Sequence, residues 1–214
     1  MILVLRGIGR HDTGPPYSRI VLAAIPLRGF GSAKTRLADS LSPAGRARLA
    51  AAVAERVASA CSGAGWSVAV VSASADVMAW CTANAIDLIP DPGGGLDAAA
   101  SAAIAHAGSD PWALVHGDLP LLSPADLEGV ATRVASGTTV LAPSRDGGTN
   151  LIAGTGHFAF AYGPGSFVRH IAAAAGAAPL VLIRTGLAVE LDTPADLHAV
   201  RHHPAGAWLD VFLS

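Results

Sequence analysis

The sequence predicts an α/β protein of three layers, a mostly parallel mixed sheet with helices on both faces. Short β-rich runs alternate with longer alanine-rich periodic runs from Arg19 almost to the last residue, and strands separated this regularly by helices require crossover connections. No tandem repeat or low-complexity linker interrupts the alternation. With 214 residues the chain can bury one sizeable core and falls within the span of one such domain.

Residues 1–18 carry Gly14, Pro15 and Pro16 ahead of any convincing strand and read as a loose leader, with a single domain over 19–214. The run "RIVLAAIPL" (19–27) opens the sheet, and the alanine-rich run over 42–65 forms the first long helix. "WSVAVVSAS" (66–74) is the next strand, followed by a helical stretch to Asn84 and the strand "IDLIPD" (86–91). A helix over 96–108 precedes the strand "WALVHGD" (112–118). A helix over 123–137 then leads to the strands "TTVLAPS" (138–144) and "TNLIAG" (149–154). A helix at 166–178, strands at 179–185 and 188–192, and a last helix at 193–203 complete the pattern. "SPADL" (123–127) and "TPADL" (193–197) each place Ser or Thr at the N-cap, Pro at the first helical position and Asp at N3. That is a capping box with Asp in place of Glu, so Asp126 and Asp196 are assigned to helix starts.

Composition narrows the function classes. Hydrophobic residues make up 51% of the chain and charged residues only 14%, and the mean hydropathy of +0.46 comes largely from alanine. The longest uncharged stretch near the end, 171–183, contains Gly176 and Pro179 and falls short of the ~20 apolar residues that cross a bilayer. The opening "MILVLRGIGRHD" has too short an apolar run for a secretory signal, so a cytoplasmic protein with no membrane partner is expected. Cys61 and Cys81 lie in alanine-rich helical segments, unpaired for metal or redox work, and read as reduced thiols. A net charge of −2 and 5% aromatic residues disfavour a nucleic-acid partner.

The acids without a capping task are Asp118, Glu190 and Asp192. Ligands of mostly parallel sheets sit at the carboxyl ends of the strands. Asp118 ends "WALVHGD", so its carboxylate is expected at the mouth of the sheet, although Asp before Leu-Pro also suits a plain turn. Glu190 and Asp192 end "AVELD", where the two-residue period of a strand turns both to one face. Three carboxylates in one place repel unless a cation lies between them, and hard oxygen donors suit Mg²⁺. Asp192 has a second reading as an acid favouring the dipole of the helix capped at Thr193.

Three loops are candidates for holding phosphate. "PLRGFGSAKTRL" (26–37) follows the first strand and brings Arg28, Gly29, Lys34 and Arg36. It is not a P-loop, which needs Gly immediately before Lys where Ala33 stands, but a backbone cradle ending in two cations suits a triphosphate. "YGPGSFVRH" (162–170) puts Gly163, Gly165 and Ser166 ahead of a helix, with Arg169 in its first turn, a placement that makes sense if Arg169 faces an anion. "RDGGTN" (145–150) ends in Thr149 and Asn150 and reads as a second glycine-rich anion turn or as a plain β-turn. His198 and His202 have the four-residue spacing of metal ligands but no third ligand. His116, His157 and His170 fall near the expected site without separating lining from catalysis. Neither a G-x-S-x-G nucleophile elbow nor a G-x-G-x-x-G dinucleotide fingerprint is present.

"AKTRL", "GDLP", "GGTN", "GPGSFVRH" and "LDTPADL", in this order over 20–200, together resemble the 2-phospho-L-lactate guanylyltransferase family of coenzyme F-420 biosynthesis. The resemblance implies a nucleotide-diphospho-sugar-transferase-like fold. It also implies transfer of GMP from GTP to a phosphorylated three-carbon acid, 2-phospholactate, phosphoenolpyruvate or a close relative, with release of pyrophosphate. By the same resemblance Asp118, Glu190 and Asp192 would hold Mg²⁺, and Thr149, Gly163 and Ser166 would cradle the acceptor phosphate. Lys34 and Arg36 would meet the GTP phosphates, and Leu96 and Asp97 would lie near the nucleotide. Leu27 and Arg28 stand where the family commonly has Val-Lys, a planar fork in place of a point charge. Asp97 stands where it usually has Asn, which bears on base selection because a carboxylate and an amide offer different hydrogen-bond partners. The competing readings are a nucleotidyltransferase of the molybdenum-cofactor type, which typically opens with a longer glycine-rich loop, and a non-catalytic regulatory copy of the fold.

Overall fold

A crossover long enough to hold a helix returns the chain to the same end of a sheet, so the strands it joins run parallel. The computed structural model describes residues 20–174 and 178–213, so the leader expected at 1–18 and positions 175–177 of the helix expected over 166–178 lie outside the described residues. The first half repeats the crossover unit: β1 (Leu22–Pro26), α1 (Pro43–Gly63), β2 (Ser67–Ser72), α2 (Ala75–Ala83), β3 (Asp87–Pro90), α3 (Leu96–Ala107) and β4 (Trp112–Val115). The second half adds α4 (Val130–Ala135), β5 (Val140–Pro143), β6 (Thr149–Gly154), α5 (Ser166–Ala173), β7 (Leu180–Val181), α6 (Thr185–Ala188) and α7 (Pro194–Arg201). Seven strands form one sheet in the order β3-β2-β1-β4-β6-β5-β7. The first four pair parallel, β5 pairs parallel with β7, and β6 runs antiparallel to both β4 and β5. The reversal comes from the turn at 144–148, where Ser144 N–H donates to Gly148 O at 3.0 Å and Gly147 takes φ +85°. A turn this short cannot make a crossover, so "RDGG" is a hairpin turn.

Alternate residues of each central strand feed two cores. Ala23, Ile25, Val70, Ala113 and Val115 pack with α1, α2 and α4 on one face. Ala24, Ala69, Val71 and Leu114 pack with α3 and α5 on the other. Both faces are dry, which is the mixed three-layer fold the sequence predicts. No described helix is long and apolar enough to cross a membrane.

Three expected elements differ. The helix over 123–137 is a 3₁₀ turn, Pro124–Leu127, then α4, because Glu128 is extended and Gly129 takes φ +81° between them, a left-handed step glycine makes freely. The strand over 179–185 shortens to the two residues of β7. The strand over 188–192 is replaced by α6 and a single extended stretch, which keeps a two-residue burial period: Val189 and Leu191 are buried and Glu190 and Asp192 half-buried. Both capping boxes form. Asp196 accepts from Thr193 N at 2.8 Å and Asp126 from Ser123 N at 3.0 Å.

A buried clasp fixes the segment leading into α5. Ala161 N–H donates to His170 Nε2 at 3.0 Å, so His170 carries its proton on Nδ1, which faces Thr149 Oγ1 at 2.9 Å. Thr149 Oγ1 lies 3.3 Å from Ser166 Oγ. Tyr162 N–H donates to Asp97 Oδ1 at 2.8 Å, and Arg169 binds the carbonyls of Ala161, Tyr162 and Pro164. His170 is fully buried, and burial drives its pKa down to about 4, against the opposing pull of the Asp97 carboxylate. The unfolded chain takes up this proton near pH 6.5 and the folded chain only near 4, so stability falls as pH drops between those values, by roughly 3 kcal/mol at full extent. A His170→Gln chain should be less stable than the parent at pH 7 by urea unfolding, and the gap should narrow by pH 4.5. A gap of constant size would show that the clasp does not titrate in this way.

Candidate active site

β1, β2, β3 and β4 point the same way, so their carboxyl ends form one rim, where residues are free of ladder hydrogen bonds and can face a ligand. A cleft of about 470 Å³ opens there, within the range of small-molecule sites. Arg28, Lys34, Leu96, Asp118 and Asp192, all expected from the sequence, line it, as do His116, Asp91 and Gly95. Gly117 lets the end of β4 lie against the chain leaving β1, because a β-carbon there would run into Leu27 and Ile25.

The loop after β1 is held from α2 and its N-cap. Gly31 N–H donates to Asp76 Oδ2 at 3.2 Å, a β-carbon on Gly29 would meet Ser74 Oγ at 2.6 Å, and Phe30 packs edge-on to Trp80 at 5.7 Å. The Ser74 hydroxyl, with loop backbone N–H groups, keeps the Asp76 carboxyl below its ordinary range. Lys34 follows with φ +56°, ψ +36°, a left-handed conformation that costs a side-chain-bearing residue roughly 1 kcal/mol. Its side chain is 7% exposed and Nζ sits 3.4 Å from Asp118 Oδ2. Arg36 Nη1 reaches Asp192 Oδ2 at 2.8 Å, further out.

Backbone bonds bring the acids together. Leu191 N–H donates to Asp118 O at 3.0 Å, and His116 N–H to Asn150 O at 3.0 Å. Asn150, fully buried, donates its own amide to Leu187 O at 2.9 Å, so it ties the end of β4 to α6 and to the stretch that carries Glu190. One ligand atom each from His116, Asp118 and Glu190 falls within 4.8 Å of the others. Asp118 Oδ1 and His116 Nε2 are buried with no hydrogen-bond partner. A dry carboxylate oxygen without a partner is costly, and converging carboxylate oxygens are the donors a hard dication takes, so these residues fit the divalent ion the family resemblance implies.

The expected residues separate into two groups. Asp118, Glu190, Asp192, Lys34, Arg36 and Arg28 gather at the rim. Thr149, Asn150 and Ser166 are buried and bonded within the protein, and Arg169 spends three donors on backbone carbonyls, so in this structure it fastens the loop that contains Gly163. Asp97 uses Oδ1 on Tyr162 N–H, while Leu96 faces the cleft. The sequence reading left out Asp76, Asp91 and the triplet Gly93, Gly94 and Gly95, whose φ values are +80°, +89° and +94°. Three glycines in a row before a helix were the available signal. His198 and His202 have their rings 4.2 Å apart near the chain end, away from this rim.

Residues 21–213 match the family model described as guanylyl transferase CofC-like. The chain is 33% identical over 200 residues to a phosphoenolpyruvate guanylyltransferase from Sphaerobacter thermophilus, covering 88% of this chain and 97% of that one. It is 30% identical over 192 residues to a 2-phospho-L-lactate guanylyltransferase from Methanothermobacter thermautotrophicus, covering 86% and 85%. Its fold is shared with a candidate nucleotide-diphospho-sugar transferase from Desulfovibrio desulfuricans at TM-score 0.72 and 16% identity, over 90% of this chain and 96% of that one. With five motifs in register and a match over nearly the whole described chain, the protein belongs to the CofC-like guanylyl transferase family.

Proposed function

We propose that this chain transfers GMP from GTP to the phosphate of a three-carbon phospho-acid, 2-phospholactate, phosphoenolpyruvate or a close relative, releasing pyrophosphate, in the biosynthesis of coenzyme F-420. The observation that carries the reading is the convergence of Asp118 and Glu190, from distant segments, beside Lys34 in a cleft at the strand ends.

An oxygen of the acceptor phosphate attacks the α-phosphorus of GTP, forming a diphosphate bond, and the bond from that phosphorus to the bridging oxygen of the β-phosphate breaks so that pyrophosphate departs opposite. The protein forms no covalent bond; it holds two polyanions in line and meets charge as it shifts to the leaving group. Asp118 and Glu190, with Asp192 further out, would hold the divalent ion, Mg²⁺ by the family resemblance, which when bound neutralises phosphate charge and polarises the phosphorus centre. Lys34 and Arg36 each pair with a carboxylate of the rim, which suits both cations to meeting the GTP phosphates there. Arg28 adds a planar fork at the mouth. The segment with Gly163 stands next to the rim through Tyr162, whose ring lies 5.5 Å from that of His116, which suits the acceptor side. The regulatory reading would need the acids or loop cations to be missing, and both sets are present.

Pyrophosphate release measured with each NTP against 2-phospholactate, phosphoenolpyruvate and 3-phosphoglycerate should show turnover with GTP and one of the three acids. No turnover with any pair would sink the assignment. Asp118→Asn should lower kcat roughly a hundred- to a thousandfold with the circular dichroism spectrum unchanged. Lys34→Met should raise KM for GTP about tenfold, one lost phosphate contact, with the KM of the acceptor little altered.

A further inference from the structure

Glu190 Oε1 lies 3.7 Å from His116 Nδ1, too far for a good hydrogen bond and within the span of two ligands on one ion. The other ring nitrogen, Nε2, is buried and has no partner. Imidazole nitrogens left dry are rare, since each carries either a donor proton or a lone pair to satisfy. The ring is fixed in place from outside the acid cluster. Its backbone N–H is bound by Asn150 O, and the Tyr162 ring lies across it at an interplanar angle of 35°. Two residues on, Asp118 offers Oδ1, which is likewise buried and unpartnered, while Oδ2 is engaged by Lys34. The free donors of the cluster are therefore one nitrogen of a ring and two carboxylates, not three carboxylates.

Resting on the guanylyl-transfer reading, we propose that His116 supplies an imidazole nitrogen to the divalent ion held by Asp118 and Glu190, so that the centre takes a first-row transition dication in preference to Mg²⁺. A nitrogen donor adds affinity for Mn²⁺, Co²⁺ and their neighbours along the Irving–Williams order, whereas Mg²⁺ gains little from imidazole and favours oxygen. Asp192, engaged by Arg36, stays at the outer edge of the cluster.

The probe is Mn²⁺ added alone to the full chain and observed by pulsed electron paramagnetic resonance, where a directly bonded nitrogen modulates the echo. The wild-type chain should show ¹⁴N modulation, replaced by ¹⁵N modulation when the protein is made with ¹⁵N-histidine. His116→Gln, of similar reach but without a ring nitrogen, should bind Mn²⁺ about tenfold more weakly and lose the modulation, with Mg²⁺ affinity changed less than about threefold. His116→Asn serves if the Gln chain does not fold, and the wild-type spectrum decides independently of either. Mn²⁺ bound without nitrogen modulation overturns the role of His116 and leaves guanylyl transfer standing. Modulation that survives in the variant places the nitrogen elsewhere and also overturns it. A chain that takes up no Mn²⁺, with or without GTP, removes the metal centre and both proposals with it.

Discussion

A single backbone hydrogen bond, Leu191 N–H to Asp118 O, fixes the geometry on which the rim depends. Asp118 leaves the end of β4, while Glu190 rides on an extended stretch that belongs to no strand, and without that bond nothing in the sheet ladder would set their separation. Asn150 makes the arrangement rigid from beneath. Its carbonyl receives His116 N–H and its side-chain amide grips Leu187 O, so one buried residue of β6 orients both segments at once. The side-chain amide is hard to replace, because removing it leaves the buried Leu187 O without its partner. The acids are thus positioned by main-chain bonds, and Asp118 keeps Oδ1 without a partner.

Charge follows from that placement. Around the cleft the acids Asp91, Asp118, Glu190 and Asp192 stand against the cations Arg28, Lys34 and Arg36, which leaves an excess of one negative charge for a site meant to receive polyanions. A bound dication turns the excess positive, and so reverses the field a phosphate meets. The strained left-handed backbone of Lys34 belongs to the same balance. It lets the loop carry Lys34 inward to Asp118 and Arg36 outward to Asp192, two cations from one short turn addressing acids of two different segments.

The layers, the succession of strands and helices in the first half, the capping boxes and the acids of the rim were legible because each rests on a local pattern: hydrophobic period, proline at N1, an acid where an apolar run stops. What was not legible depends on contacts between distant segments. Glu190 and Asp192 were expected side by side on a strand; the two-residue period is real, but the segment lacks a partner strand, and its acids diverge toward His116 and Arg36. Thr149, Ser166 and Arg169 look from sequence like an open anion cradle. In the fold, burial and the His170 bonds turn the first two inward, and three carbonyls take up the third. His116 could not be told from lining, since only the fold buries its Nε2 and brings Glu190 opposite its Nδ1.

The clasp around His170 explains why the loop over 161–165 can sit beside a charged rim without its own charge. Five interactions hold it: Asp97 to Tyr162 N–H, His170 to Ala161 N–H, and the Arg169 fork to three carbonyls. Arg169 at the start of α5 opposes the helix dipole, a cost of a few tenths of a kcal/mol at an exposed site, and three charge-assisted bonds to carbonyls outweigh it. The glycines at 163 and 165, both left-handed at φ +115° and +68°, allow the carbonyls of Ala161, Tyr162 and Pro164 to turn back toward the guanidinium. Fixing a loop through its carbonyls has a consequence for recognition. Carbonyls that already face Arg169 cannot repel an incoming phosphate, and with the Ala161 and Tyr162 N–H groups spent on His170 and Asp97, the N–H groups this loop keeps for an anion are those of Gly163 and Gly165.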